Sequence, residues 1–497
     1  MNNLYGRLWR WHFFAALIVI PFVLWQSVTG TLYLWSEWWM DRAHPQMRFV
    51  KPQLQPLPLS EQIQSALKFA GTRAAGAAPT DSDREGTVGP AGAAVSHRES
   101  TVTPSGAAVE GTLVSSGAAV ESTVAASSAE HHHGTIGPSG AGAAHHHGAP
   151  GPSSGLTVER ILLSDDPARS TTVLFRSGGG LPFPVFVDPY TGEVLGRLST
   201  TAWLPGLSRA LHGGWPLGEP GSWLLELGDG WAILMLATGL YLWWPRGRGL
   251  AAFWPRTGAG TRVLLRDLHS CVAVWFSVVF LFFLISALPW TAFWGGKVLS
   301  TIESNIGQQS PTGFSPGGAS VAKFSNASVP IEQAVAAARR ANVHGTLDIR
   351  LAPWPGAPLF MTNTHVLPSQ DRTVLADPVA GEIRGDFTND QIPVIPRLVA
   401  LGVHVHQADF GPINIWLNTA FATSLIWLSV TGVLSWWNRR PAGKLGAPPQ
   451  VSAVIPRAVI AIAVGACLLM PLFGMSILLI VLAELGVTRL KVVVTPG

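Results

Sequence analysis

The chain has 497 residues, 21 of them tryptophan, and only 12% charged side chains; its mean hydropathy is +0.30. That balance fits an integral membrane protein carrying polar domains outside its spans. A pI near 9.3 suggests nucleic-acid binding, but the arginines and lysines cluster beside apolar segments, where they act as topology signals and no nucleic-acid partner is expected. The two cysteines, Cys271 and Cys467, both lie in apolar stretches, and no disulfide framework, CxxC or CxxCH motif exists.

Five spans are expected. The first, 13–35, carries no charge and no small-residue cleavage site follows it, so it reads as a retained helix. The second, 222–244, is the weakest because Glu226 and Asp229 occupy its first turns. The third is 271–294, the fourth 410–437, and the fifth 458–483, where Pro471 predicts a kink. Tryptophans bracket the first four, as an interfacial aromatic belt does. The chain then divides into 1–39 (first helix), 40–221 (external unit, insert at 71–155), 222–244, a loop 245–268, 269–294, a second external unit 295–409, 410–437, a loop 438–457, 458–485 and a tail 486–497.

Short basic segments set the orientation. Arg7 and Arg10 precede the first span; Arg246, Arg248, Arg256, Arg262 and Arg266 follow the second; Arg439, Arg440, Lys444 and Arg457 follow the fourth. Alternating helices place all of these on one side, the cytoplasm, and both long segments outside a bacterial inner membrane.

The external segments resemble each other. A helix candidate at 59–70 precedes strand-like 157–163, 171–175 and 184–187, ending in Asp188-Pro189-Tyr190-Thr191-Gly192. A second helix candidate at 331–341 precedes 346–350, 359–362 and 373–376, ending in Asp377-Pro378-Val379-Ala380-Gly381. Proline fixes φ and glycine accepts positive φ, so each ending is a turn. Each copy reads as a small α+β unit. The spans repeat too: Thr29-Gly30, Thr238-Gly239, Ser286-Ala287 and Thr431-Gly432 stand near the ends of spans one to four, and His12 precedes Thr29 by the same 17 residues that separate His269 from Ser286. Small residues at matching depths let helices approach closely. The fold class is therefore a mainly α membrane protein: a four-helix transmembrane bundle from a tandem duplication, a fifth helix, and two small external α+β units.

The insert 71–155 repeats SGAAVE and has little that can bury a core, so disorder is expected. Its triplets His131–His133 and His145–His147 read as by-products of repeat expansion, with loose metal binding the alternative.

Eight histidines lie outside the insert. His12 and His269 enter spans one and three at the cytoplasmic face; His212, and the pair His404 and His406, precede spans two and four at the outer face. A single such histidine is most simply an interfacial residue; two equivalent pairs on two faces suggest axial haem ligands in a bundle. Without CxxCH the haems would be non-covalent, two haems b, with an edge-to-edge gap of order 10 Å across a core about 30 Å thick. His404 and His406 cannot both point inward; His406, nearer the membrane, is the expected ligand and His404 the alternative.

The sequence resembles the PepSY-associated transmembrane family over nearly the whole chain apart from the insert. The resemblance rests on Leu8-Trp9-Arg10-Trp11-His12-Phe13-Phe14, Val187-Asp188-Pro189-Tyr190-Thr191-Gly192-Glu193, Leu211-His212-Gly213, Thr238-Gly239-Leu240-Tyr241-Leu242-Trp243-Trp244-Pro245-Arg246, Arg266-Asp267-Leu268-His269, His406-Gln407-Ala408-Asp409-Phe410-Gly411 and Trp436-Trp437-Asn438-Arg439-Arg440-Pro441. It implies inner-membrane proteins with external PepSY units, some of them haem-bearing ferric siderophore reductases. Ala408 stands where glycine is usual, and Val379-Ala380 where the first unit has Tyr-Thr.

The expected function is electron transfer through two haems, held by His12, His269, His212 and His406, to an external ferric siderophore or other chelated metal. No GxGxxG opens a helix after a strand, so the donor, quinol or a cytoplasmic reductase, is separate. The alternative is a haem-free PepSY membrane protein that binds peptides or regulates a protease. A metal transporter is disfavoured because no span is expected to hold an acidic pair at mid-depth.

Overall fold

A computed structural model describes residues 3–76, 156–177, 180–244, 247–310, 331–341, 343–351, 359–364, 366–376, 383–451 and 455–494. The insert lies outside the described residues, histidine triplets included, except for 71–76, which prolong a helix. The elements of the first half are α1 (Asn3–Ala43), the single turn α2 (Pro45–Arg48), α3 (Leu59–Gly76), β1 (Leu156–Leu163), β2 (Thr171–Ser177), β3 (Phe183–Val187), β4 (Val194–Arg197), α4 (Leu204–His212) and α5 (Glu219–Trp243). The second half runs α6 (Thr261–Trp275), α7 (Ser277–Ala287), α8 (Ser300–Asn305), α9 (Ile331–Arg340), β5 (Thr346–Arg350), β6 (Leu359–Thr364), β7 (Arg372–Ala376), β8 (Ile383–Thr388), α10 (Val394–Gln407) and α11 (Pro412–Trp437), followed by α12 (Arg457–Leu469) and α13 (Pro471–Val494).

With 41 residues, α1 is about 60 Å long, twice the thickness of a bilayer core. Its C-terminal end stands clear as a stem for the sheet. Met40 is buried against Leu174, Phe186, Leu198 and Trp203, and the Asp41 carboxylate takes both Nη groups of Arg169.

The two α+β units are not separate bodies. Their strands form one eight-stranded sheet in the order β4-β3-β2-β1-β5-β6-β7-β8, antiparallel throughout, with Ile161 opposite Ile349 and Leu162 opposite Asp348 at the central seam. Each four-stranded half alone would expose an edge with unpaired N–H and C=O groups, and joining β1 to β5 removes both inner edges. One face carries Val158, Ile161, Val173, Leu347, Ile349 and Met361 under α3 and α9. Alternation turns Arg160, Asp348 and Arg350 to the other face, where Arg160 forms a bidentate pair with Asp348 at 2.8 and 2.7 Å. The outermost strands β4 and β8 lie beyond the turns that seemed to close each unit. In the first turn Asp188 Oδ1 accepts from Tyr190 N at 2.8 Å and Gly192 takes φ +71°.

Helices α1, α5 and α11 are long and apolar enough to cross a membrane, and α6 with α7 passes the same test as a bent pair. This corrects the expected third span. The third is not a straight helix over 271–294: it starts at Thr261 and bends by 57° between Trp275 and Ser277. Ser277 Oγ donates to Val274 O at 2.8 Å there, a side-chain bond that competes with the helical ladder. The fifth breaks outright at Met470 (φ −121°, ψ 83°), because Pro471 has no N–H and clashes with the preceding turn. The 13 residues of α12 cover only about 20 Å, too short to cross alone. Among the described residues three helices are long and apolar enough to cross, or four spans if the bent pair counts as one, and α12 and α13 meet at the expected Pro471 kink.

Candidate functional site

In the membrane the duplication reappears as packing: α1 lies on α5, α6 on α11, and α1 on α11 between the halves. Each half places two histidines against two hydroxyl residues. His12 Nδ1 lies 3.1 Å from Met235 O and 3.1 Å from Thr238 Oγ1. His269 Nδ1 repeats this, 3.1 Å from Leu428 O and 3.1 Å from Thr431 Oγ1. At the end nearer the sheet, His212 Nδ1 is 3.0 Å from Thr29 Oγ1 and His406 Nδ1 is 3.5 Å from Ser286 Oγ.

These contacts fix the tautomer. A carbonyl only accepts, so Nδ1 of His12 and of His269 carries the proton. The threonine hydroxyls are spent as donors to their own helices, Thr29 to Trp25 O, Thr238 to Leu234 O and Thr431 to Trp427 O, each at 2.8 Å. Their oxygens are left to accept from Nδ1–H. Nε2 is then the bare nitrogen, and among the described residues it has no hydrogen-bond partner in any of the four rings. An imidazole held at Nδ1 with Nε2 open is how a protein presents histidine to a metal.

The glycine beside each threonine makes room for the ring. A Cβ on Gly30 would lie 3.2 Å from His212 Cε1, on Gly239 3.1 Å from His12 Cε1, and on Gly432 3.5 Å from His269 Cε1. At the fourth position Ala287 replaces glycine, and the close approach moves to Gly402 of α10, where a Cβ would be 3.1 Å from Ser286 Cβ.

Local structure holds the histidines in place. Trp25 Nε1 donates to Leu211 O at 3.0 Å, tying the end of α4 to α1. Asn418 Nδ2 donates to Val405 O and His406 O at 2.8 and 3.1 Å, taking up carbonyls at the end of α10. That helix closes on Ala408 at φ +67°, the left-handed conformation that explains the usual glycine there. Two residues before His269, buried Asp267 takes a bidentate grip from Arg256 at 2.7 and 2.9 Å.

His212 and His406 meet edge to face, with ring centroids 6.0 Å apart and ring planes at 70°. Two imidazoles bound through Nε2 to one metal between them, at about 2 Å each, would have centroids about 6 Å apart, so the residues present fit a shared axial metal. His12 and His269 are also close enough for a charge on one to act on the other. The pairs sit 17 residues apart along α1, at His12 and Thr29, about 26 Å in a helix.

His404 lies elsewhere. It is buried, with Nδ1 2.9 Å from Asp409 Oδ2 and Nε2 2.5 Å from Asp371 Oδ2. Burial alone would lower its pKa, but the two carboxylates hold it up to about 9. It is an imidazolium linking α10 to the strand region, with neither nitrogen free. Sequence reasoning took the Thr–Gly pairs as helix-packing residues. The equal 17-residue spacings from histidine to hydroxyl were the signal for their further use.

The pattern of the PepSY-associated TM region matches residues 9–439. The chain belongs to the PepSY-associated TM family. No curated protein matches it. The family match spans both halves, from the helix carrying His12 to the loop after α11, so the repeated histidine and hydroxyl positions all fall within it.

Proposed function

We propose that this PepSY-associated membrane protein carries electrons through two non-covalent haems, one held by His12 and His269 and the other by His212 and His406. Haem supplies reversible one-electron chemistry when bound. The observation that carries the reading is the repeated geometry: in both halves a hydroxyl holds Nδ1, with a backbone carbonyl as well at His12 and His269, while Nε2 stays open. The hydroxyls and carbonyls keep the proton on Nδ1, the adjacent glycines leave space, and α1 sets the depth of both pairs.

The basic loops favour an orientation with His12 and His269 near the cytoplasm and the sheet outside a bacterial inner membrane. On that outer side Arg160 and Arg209 each lie within electrostatic reach of Arg350. Arg160 and Arg209 are also within reach of Tyr33, one turn past Thr29. With Asp348 paired to Arg160 and Arg350, that trio keeps one net positive charge, which together with exposed Arg209 suits an anionic ferric chelate such as a siderophore, and reduction to Fe(II) loosens hard oxygen ligands. The donor is a quinol or a cytoplasmic reductase.

A visible spectrum and a pyridine haemochrome assay of the purified protein test this. Two haems b per chain are expected. His12→Ala or His269→Ala should remove one, and His212→Ala or His406→Ala the other. Chemically reduced protein should be reoxidised by ferric siderophores with matching Fe(II) formation. A colourless protein would overturn the haem reading and leave a regulatory role for the sheet domain.

A further inference from the structure

The sequence gives no expectation of an acidic pair at mid-depth, yet α5 buries one. Glu226 and Asp229 are 1% and 6% exposed, three residues apart and so on one face of the helix, within electrostatic reach of each other. Glu226 Oε2 accepts from Thr291 Oγ1 at 2.9 Å and from Trp294 N at 2.8 Å. Its other oxygen, Oε1, is buried and has no partner. Glycines flank Asp229 and close the packing around it: a Cβ on Gly228 or Gly230 would come within 2.6 Å of Phe22 or Phe473.

No counter-charge faces the pair among the described residues. α1 has no titratable side chain between Phe13 and Gly30, α7 has none, and α13 has none before Glu484. The titratable groups of the packed elements lie toward their ends, among them Arg7, Arg10, His12, Tyr33, Glu37 and Asp41 on α1, Arg262, Arg266, Asp267, His269 and Cys271 on α6, Cys467 on α12, and Lys297, exposed over the ring of Phe293. Two bare carboxylates in such surroundings would be costly, and a proton is the counter-ion that fits Oε1. Asp229 stands nine residues before Thr238 on α5, about 14 Å along the helix and roughly midway between the two histidine levels.

We infer that Glu226 and Asp229 form a proton-binding site that takes up and releases one proton as electrons pass between the two histidine pairs. The inference rests on the haem reading. When one electron enters from a quinol or other reductant, one carboxylate of the pair binds one proton (RCOO⁻ + H⁺ → RCOOH). When that electron leaves to a ferric chelate, Fe(III) becomes Fe(II) and the proton departs. At about 13 Å and an effective dielectric constant of about 20, one added charge alters proton affinity about tenfold.

The test is a potentiometric titration of the full-length protein over a pH series, followed by the haem bands, together with infrared spectra in H₂O and D₂O. In the unaltered chain the reduced-to-oxidised ratio at fixed potential should change about tenfold across the titration of the pair, and a protonated carboxyl band should shift on deuteration and on reduction. In Glu226→Gln and Asp229→Asn both signals should be lost while haem content stays. Should one variant fail to fold, the other decides. A coloured protein with pH-independent potentials, or variants that keep the carboxyl response, would overturn the inference alone. A colourless protein would overturn it together with the haem reading.

Discussion

Thr238 and Thr431 do at residue scale what a hydrophobic neighbour of the same size cannot: each offers an oxygen to a histidine Nδ1 at 3.1 Å. Removing that hydroxyl in Thr238→Val or Thr431→Val keeps the volume but loses the bond, and outer-shell losses of this kind weaken metal binding by about 10–100-fold. On the proposed haem reading, haem retained through a graded wash with apo-myoglobin as acceptor should fall accordingly for the His12–His269 site while the other site stays loaded. His404→Ala should leave both haems but lower thermal stability by about 3 kcal/mol, since Asp371 and Asp409 would lose the imidazolium between them. Ala408→Gly should raise stability by about 0.5–1 kcal/mol, because φ +67° crowds an alanine Cβ; a thermal melt followed by circular dichroism reads both changes.

Among the elements, the seam between β1 and β5 carries the buried charge. Asp348 is 1% exposed between Arg160 and Arg350. Burial pushes its pKa up, but the two guanidiniums hold it below the usual carboxylate range. A lowered folded value means the stabilisation is present above the unfolded value of about 3.9 and is lost as pH falls through the lower, folded one. The sheet should therefore weaken on acidification below about pH 4. Asp348→Asn, which leaves the arginines without their anion, should cost about 3–5 kcal/mol at neutral pH and remove that acid-dependent component, as measured by unfolding midpoints across a pH series.

For the whole molecule, the long α1 links a membrane bundle to a single sheet, and the basic loops predict which side of the membrane each faces. Reporter fusions after Arg248 and Arg440 should read cytoplasmic, and fusions after Gly155 and Gly345 external. A cytoplasmic Gly345 would invert the orientation and place the sheet beside the donor instead of the acceptor.

Apolar length, motif spacing and turn chemistry are local properties, so the membrane class, the family and the two-fold repeat, with its recurring histidine positions, were legible in the sequence alone. It also favoured His406 over His404, since residues two apart cannot share a helix face. Only the tertiary structure decided that the two α+β units share one sheet, since strand pairing between β1 and β5 joins residues nearly two hundred positions apart. It decided too that a serine bends the third span, where a competing side-chain bond outweighs apolar pattern, whereas the break at Pro471 was readable in advance. The hydroxyl that fixes each histidine comes from another helix, so no window of sequence contains both partners. The same holds for Glu226 and Asp229. Their charges made α5 look like the weakest span, and only the packing of Phe22, Phe473 and Thr291 around them shows that they are enclosed at mid-depth.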